Sequence, residues 1–252
     1  MKWMVFSDTH LGSAVSHRYK ELYTLVKSKQ PDRLIILGDF IDFWRVKYSK
    51  VIKNKNNLKL IDYVLKQLPE QGVEVFYIFG NHEDTDKEFL RTEFPKVKFV
   101  ELLVHFDIVL THGHRFDSAI LGKGRIKSMR ISKFRQFIES ILPIDLSKIG
   151  MMIDKLFHLG ITKKYVKDVH DKVIEKYSNQ YKAAIIGHTH CHQQRIVEYS
   201  KQNSDPLPTI YDSGDTYDEC PQQSFTLYDS GNTYTDLNYY LFEDGDLIEV
   251  GE

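Results

Sequence analysis

The segment VEVFYIFGNHED (residues 73–84) joins an apolar run to a cluster of polar side chains. β-Branched and aromatic residues fill its first half, which predicts a buried β-strand. Glycine and asparagine are ordinary in the turn after a strand, but a histidine flanked by an amide and two carboxylates is not. The segment therefore predicts a core strand that ends in a functional site.

Strand and helix patterns alternate on both sides of this segment. Residues 2–8 and 32–40 are predicted as buried strands, and Tyr19–Lys29 and residues 57–72 have the apolar spacing of amphipathic helices. Residues 97–113 indicate two further strands with a turn near residues 106–107. This alternation favours an α/β architecture.

The pattern changes between residues 118 and 181. Lys and Arg outnumber Asp and Glu there by about two to one, and apolar side chains recur at helical spacing. We therefore expect one domain over residues 1–252, with a helical insertion or lid at 118–181. The segment GKGRIKSMRISKFRQFIES (residues 122–140) is basic and amphipathic, so it could contact an anionic substrate, a nucleic-acid backbone or a lipid, or simply pack on the core.

The composition is that of a globular, enzyme-sized protein. Of 252 residues, 42% are hydrophobic and 27% are charged, and the formal net charge of -1 gives no global basic field for nucleic acid or membrane. Two cysteines are too few for a disulfide framework. We expect a cytoplasmic protein without a signal peptide or a transmembrane segment.

Five short polar motifs each follow a predicted strand, and the last lies in AAIIGHTHCHQQRIVEY (residues 183–199), where the strand pattern returns. They are SDTH (Asp8, His10), GDFID (Asp39, Asp42), GNHED (Asn81, His82), THGH (His112, His114) and GHTH (His188, His190). Any single motif has an ordinary explanation as a helix cap, a core histidine or a turn. Because strand ends converge at one edge of a sheet, the motifs together predict one site. Imidazole and carboxylate ligands without thiolate suit Mn²⁺, Fe or Zn²⁺, in numbers sufficient for two ions bridged by an aspartate.

In order and spacing, these motifs resemble those of the calcineurin-like metallophosphoesterase superfamily, over residues 8–190. The resemblance implies the fold, a four-layer αββα sandwich of the α/β (α+β) class in which helices flank two mixed β-sheets. It also implies the activity, that of a binuclear metal-dependent phosphoesterase. We expect this enzyme to hydrolyse a phosphodiester or pyrophosphate bond with a metal-bridging hydroxide.

The resemblance also implies a role for each motif residue. The implied ligands are Asp8, His10 and His190 for the first ion, Asn81, His112 and His188 for the second, and Asp39 between them. His82 would not be a ligand but the catalytic group facing the scissile phosphate, and Asp42 would orient a ligand histidine. We expect two divalent ions, Mn²⁺ first, with Fe, Zn²⁺, Ni²⁺ and Mg²⁺ as alternatives.

Substrate contacts are expected from Asn81, His114 and Arg115. For Arg115 the reason is that a guanidinium matches phosphate oxygens bidentately. Glu83 and Asp84 are expected either to support the ligands or to favour a helix start. The expected partner is a phosphorylated small molecule or a nucleotide-type substrate. Nucleic acid is not favoured, and peripheral membrane contact through the insertion stays an alternative.

Three features resemble the clade of UDP-2,3-diacylglucosamine pyrophosphohydrolase-like enzymes. They are GDFIDFW (residues 38–44), the helical insertion after HGHRFDS (residues 112–118), and SGDTYDEC (residues 213–220). The best-known enzymes of that clade have an arginine where His82 stands and an acid in place of His114. These differences leave the lipid substrate open, but not the phosphorus chemistry.

A phosphomonoesterase, including a protein phosphatase-like enzyme, is the main alternative, since GNHE also occurs in protein serine/threonine phosphatases. Those enzymes carry an arginine shortly after the GDxxD aspartate, where Phe43 and Trp44 stand here, and Arg45 is at least one position out of place. A DNA nuclease is less favoured because the chain lacks the basic balance and the extra C-terminal domain expected of one. A non-catalytic scaffold is least favoured because every motif position is intact.

Overall fold

Two β-sheets form the centre of the computed structural model, which describes residues 1–14, 18–118, 120–121, 123–142, 146, 149, 152–153, 156–157, 161–190, 192–199, 223–230, 239–243 and 246–251. Within these residues the strands are β1 (Lys2–Phe6), β2 (Arg33–Leu37), β3 (Glu74–Ile78), β4 (Lys98–Val100), β5 (Leu103–His105), β6 (Ile108–Thr111), β7 (Ala183–Ile186), β8 (His192–Tyr199), β9 (Gln223–Ser230), β10 (Tyr239–Glu243) and β11 (Asp246–Gly251). One sheet has the order β11-β10-β1-β2-β3-β4, and the other has the order β5-β6-β7-β9-β8.

Both sheets are mixed. Strands β1 to β4 pair in parallel, and β10 and β11 extend that sheet in antiparallel fashion. In the second sheet β6, β7 and β9 are parallel, and β5 and β8 are antiparallel edge strands. The carboxyl ends of β1, β2 and β3 therefore lie side by side in one sheet, and those of β6 and β7 lie side by side in the other.

The described residues also form several helices. They are α1 (Tyr19–Lys29), α2 (Tyr48–Val51), α3 (Lys55–Asp62), α4 (Leu68–Glu70), α5 (Lys87–Glu93), α6 (Lys123–Ile141) and α7 (Ile161–Tyr177), with a π-helical segment (Tyr63–Gln67) joining α3 to α4 and a short 3₁₀ turn at His114–Phe116. Helices α6 and α7 lie between β6 and β7 in the chain.

Among the residues that the structure describes, three apolar clusters hold these layers together. The cluster between the sheets includes Trp3, Val5, Ile35, Leu37, Ile78, Ile108, Leu110, Ile185, Tyr240 and Phe242. A second cluster joins the outer face of the six-stranded sheet to helices such as α1 and α3, and a third joins the five-stranded sheet to α7. This arrangement confirms the predicted α/β fold of two mixed sheets flanked by helices.

The prediction of two strands in residues 97–113 was wrong, because the structure has three there. Strand β4 pairs with β3 in the first sheet, whereas β5 pairs with β6 in the second. The chain changes sheets at Glu101 and Leu102, within an apolar run that has no glycine or proline to mark the change. The expected turn is present, since Phe106 and Asp107 have φ values of 49° and 58°, typical of a two-residue hairpin.

The predicted helix over residues 57–72 is a composite that begins at Lys55 and ends at Glu70. Its start is earlier because the Asn54 side chain caps it, accepting hydrogen bonds from the amides of Asn56 and Asn57 at 3.0 and 3.4 Å.

The helical insertion and the division into domains stay predictions, and SGDTYDEC lies outside the described residues. Across the described residues, no helix combines the length and the apolar character that crossing a membrane requires.

The layer between the sheets gives a first prediction. Ile35 is fully buried there, so Ile35→Ala should lower the free energy of unfolding by about 2–5 kcal/mol. Ile126 on α6 is 57% exposed, so the same substitution there should change it by no more than about 0.5 kcal/mol. Urea titrations of both variants measure the difference, and equal effects would contradict this account of the core.

Candidate metal centre

The predicted ligands converge where the two sheets meet. Asp8, Asp39 and Asn81 follow β1, β2 and β3, and His112 and His188 follow β6 and β7. Backbone hydrogen bonds tie the loops together, since the amides of Asp8 and His10 donate to the carbonyls of Gly38 and Asp39 at 3.1 and 2.8 Å. The parallel strands thus aim side chains from five loops at one point.

The backbone at this point is strained in a consistent way. Five of the expected ligands have φ in the left-handed region, namely Asp8 (52°), His10 (47°), Asp39 (50°), His188 (75°) and His190 (59°). Non-glycine residues adopt this conformation at a cost, and it persists where the surrounding structure imposes it. The fold therefore uses free energy to direct these side chains inward.

One cluster of possible ligand atoms comprises Asp8, His10 and His190. The Nε2 atoms of His10 and His190 lie 3.3 Å apart, and Asp8 Oδ1 lies 3.3 Å from His190 Nε2. The other oxygen of Asp8 accepts a hydrogen bond from the His188 amide at 2.9 Å, which couples this cluster to the next loop.

A second cluster comprises Asp39, His112 and His188. His112 Nδ1 donates to the Leu37 carbonyl at 2.5 Å, which directs Nε2 toward Asn81 Oδ1 at 3.3 Å and Asp39 Oδ2 at 3.4 Å. Asp39 Oδ2 also lies 3.9 Å from His10 Nε2. Asp39 therefore belongs to the second cluster and also lies close to the first.

Glu83 fixes the position of Asp39. Its fully buried carboxylate accepts hydrogen bonds from the amides of Asp39 and Gly80 at 2.9 Å, from the amide of Ile41 at 3.2 Å, and from the Tyr77 hydroxyl at 2.7 Å. Burial and the charge of Asp39 raise the pKa of Glu83 to about 7. Glu83 thus supports the ligand loop, one of the two roles expected for it.

The cluster favours positive charge beside Asp39. Burial by itself would raise the pKa of Asp39, but the imidazoles of His82 and His112 outweigh it and hold that pKa well below its usual range. Burial would lower the pKa of His112, but Asp39 and Asp8 raise it to about 10. Buried carboxylates that need a cation, together with imidazole and amide donors, fit a divalent metal ion.

His82 lies beside this cluster, with Nδ1 2.7 Å from Asp42 Oδ1. Its ring stacks on Trp44, with centroids 4.4 Å apart and planes 14° from parallel. His82 Nε2 lies 3.7 Å from Asp39 Oδ2, and His82 also belongs to a possible ligand group with His10 and Asp39. The histidine that Asp42 holds at hydrogen-bond distance is therefore His82, which was not expected to be a ligand.

The expected substrate contacts lie in different surroundings. The His114 ring centroid is 5.3 Å from that of His112, and burial followed by the charge of His112 lowers the pKa of His114 to about 2, which keeps it neutral. The Arg115 side chain is 56% exposed and pairs with Glu101 Oε2 at 2.6 Å, at the protein surface.

Sequence reasoning missed Asp117 as a functional residue. Its Oδ2 accepts hydrogen bonds from His188 Nε2 at 3.0 Å and from the Tyr165 hydroxyl on α7 at 3.1 Å. Asp117 thus orients a candidate ligand from behind. Because His188 and Tyr165 are distant in the chain, no local pattern reveals the role, although Asp117 does follow the His112 motif closely.

Comparison with known proteins gives the class of the molecule. The calcineurin-like phosphoesterase family matches residues 1–192, most of the chain. The UDP-2,3-diacylglucosamine hydrolase of Histophilus somni (strain 2336) is 26% identical over 212 residues, 77% of this chain and 86% of the relative. The enzyme of that name from Haemophilus ducreyi is 24% identical over 216 residues, 78% and 86% of the two chains.

A solved dimetal phosphatase from Danio rerio aligns over 100% of this chain and 96% of its own, with 10% identity and a TM-score of 0.44. The family match and the hydrolase relatives define a metal-dependent phosphohydrolase. The chain belongs to the calcineurin-like phosphoesterase family, and the predicted family membership is confirmed.

The packing around Asp39 predicts the effect of a single methyl group. A Cβ atom at Gly80 would lie 2.1 Å from Asp39 Oδ1 and 2.5 Å from its amide nitrogen. Gly80→Ala should therefore displace Asp39, lower the free energy of unfolding by about 1–3 kcal/mol, and lower the bound metal measured by elemental analysis.

Gly72 is the matched control for this substitution. It has a φ of 90°, and among the described residues no atom lies within 4 Å of the point where a methyl group would be added. Gly72→Ala should therefore cost only about 1–2 kcal/mol of backbone strain. Its metal content should equal that of the unchanged protein. Full metal content in Gly80→Ala would show that Asp39 is not a required ligand.

Proposed function

We propose that the protein hydrolyses a phosphodiester or pyrophosphate bond in a phosphorylated, nucleotide-type small molecule, with His82 as the general acid. The observation that carries the proposal is the orientation of His82, which is anchored to Asp42 through Nδ1 while Nε2 faces Asp39. A side chain fixed in this way beside a metal cluster is suited to donate a proton to a leaving group.

Two divalent ions would occupy the two clusters, and Mn²⁺ is our first choice for a set of imidazole, carboxylate and amide ligands. Asp8, His10 and His190 would hold one ion, Asn81, His112 and His188 would hold the other, and Asp39 would bridge them. When bound, the ions would supply an activated water as the nucleophile and neutralise charge on the phosphoryl oxygens.

The surroundings of His82 support its role as an acid. Burial alone would lower the pKa of His82, but the charges of Asp39 and Asp42 outweigh burial and raise it. The protonated ring can give its Nε2 proton to the leaving oxygen while Asp42 keeps hold of Nδ1. The stacked Trp44 ring limits rotation of the imidazole.

The substrate class follows from the relatives and from the residues around the cluster. UDP-2,3-diacylglucosamine, which the relatives' name specifies, joins a nucleotide to a sugar through phosphate groups, and we extend that nucleotide-type class to this protein. Asn81 and the neutral His114 would contact the phosphate. Arg115 would have to exchange Glu101 for a phosphate oxygen.

Arg45 argues against a protein phosphatase-like site. Its guanidinium is turned into the protein, where it contacts Ser13, Ser132 and Glu139, so it is not available to bind a phosphate group. A phosphomonoesterase of another type stays the alternative, and the cytoplasmic location stays a prediction.

The bond preference can be measured directly. With Mn²⁺, and separately with Ni²⁺, Mg²⁺ and Zn²⁺, the protein should hydrolyse bis(p-nitrophenyl) phosphate faster than p-nitrophenyl phosphate, because the proposed site acts on a phosphate with two substituents. A nucleotide-sugar diphosphate is the next substrate to assay. Faster hydrolysis of the monoester would favour the alternative.

The role of His82 predicts a separation of turnover from metal binding. His82→Ala should lower kcat by about 10²–10⁴-fold, the usual contribution of a general acid, while the metal content stays near two ions per chain. His10→Ala is the control and should lose metal together with activity. Metal loss in His82→Ala would instead make His82 a ligand, as its grouping with His10 and Asp39 allows.

A further inference from the structure

Helix α6 contacts the rest of the protein through its polar face. Ser132 and Glu139 are buried, and Gln136 Oε1 accepts a hydrogen bond from the Ala14 amide at 3.1 Å. Most large apolar side chains of α6 point outward, with Ile126, Ile131, Phe134, Phe137 and Ile141 between 49% and 64% exposed, whereas Met129 and Ile138 are half-buried. Polar contacts rather than apolar packing therefore fix the position of this helix, the reverse of an ordinary surface helix.

Arg45 is at the centre of these polar contacts. Its side chain is 13% exposed, and Nε donates to Ser132 Oγ at 2.9 Å. Nη1 donates to Ser13 Oγ at 2.9 Å and to Glu139 Oε2 at 3.2 Å. One guanidinium thus joins the loop after β1 to two positions on α6.

The same guanidinium also contacts Asp42, the residue that holds the proposed acid His82. Arg45 Nε lies 3.2 Å from Asp42 Oδ2, and the other oxygen of Asp42 holds His82 Nδ1 at 2.7 Å. A continuous series of contacts therefore runs from Glu139 through Arg45 and Asp42 to His82. The series is largely shielded from solvent, and each member is held by more than one partner.

Glu139 depends on this arrangement. Its carboxylate is fully buried, and the cations that contact it are Arg45 at 3.2 Å and Arg135 at 3.9 Å. Its Oε1 also accepts a hydrogen bond from the Leu146 amide at 3.2 Å. A buried carboxylate requires such partners, so α6 is held in the one position that gives Glu139 access to Arg45.

We propose that Arg45 is a positioning residue that links the docking of α6 to the orientation of the Asp42–His82 pair. When α6 is docked, Glu139 and Ser132 hold the guanidinium where it supports Asp42. When α6 moves away, Arg45 loses two of its partners, and the carboxylate that orients His82 loses a fixed neighbour. The inference rests on the proposed role of His82 as the general acid.

Glu139→Gln tests the link because it removes the charge of Glu139 and keeps its size. Misplacing a catalytic group by about 1 Å can cost about 100-fold in rate, so kcat for bis(p-nitrophenyl) phosphate should fall by about 10- to 100-fold. KM should change by no more than about twofold and metal content should stay the same, since neither depends on the contacts of α6. Glu175→Gln, the same change at an exposed position of α7, should leave all three unchanged.

The His82→Ala background distinguishes a link from general damage. If Glu139 acts through His82, adding Glu139→Gln to His82→Ala should lower kcat no further, whereas a loss of fold would lower both backgrounds alike. Ser132→Ala, which removes one hydrogen bond to Arg45, is the milder variant if Glu139→Gln unfolds. It should show the same dependence on His82.

Two outcomes would overturn the inference. Unchanged kcat in both Glu139→Gln and Ser132→Ala, with His82→Ala still impaired, would refute the link alone. Equal losses with and without His82 would show that α6 acts through stability instead. If His82→Ala has full activity, the proposed function of His82 fails first, and this result is distinct from the other two.

Discussion

The burial of the Asp39 carboxylate where the two sheets meet is the constraint that shapes the whole site. A buried charge must be compensated, and the structure compensates it with the imidazoles of His82 and His112. The position of the carboxylate is fixed from the other side by Glu83, through the amides of Asp39 and Gly80. The absence of a side chain at Gly80 leaves the space for it.

The histidines around Asp39 are held by different groups, which bears on the roles proposed for them. His112 is directed at Asp39 by the Leu37 carbonyl, and His188 is oriented by Asp117. His82 is held instead by Asp42 and Trp44, and its Nε2 faces the cluster. A carboxylate orients both His188 and His82, so the roles proposed for them differ with where each ring lies relative to the clusters and not with the type of group that holds it.

The helices between β6 and β7 contact the site by polar side chains at two places. Tyr165 of α7 donates to Asp117 behind His188, and Ser132 and Glu139 of α6 contact Arg45 behind Asp42. A segment that differs in composition from the rest of the chain is therefore connected to both a candidate ligand and the proposed acid.

The amino-acid sequence was sufficient to predict the α/β class, most strands and helices, and the motifs that meet at the site, because apolar periodicity and strand-end residues are local signals. It did not locate the change of sheet at Glu101 and Leu102, which depends on which sheet β4 and β5 join. It also missed Asp117 and the connection from Glu139 through Arg45 to Asp42. Glu139 lies 94 positions from Arg45, and Arg45 lies 3 positions from Asp42. These features required the folded chain, since a hydrogen bond between distant segments leaves no periodic pattern in the sequence.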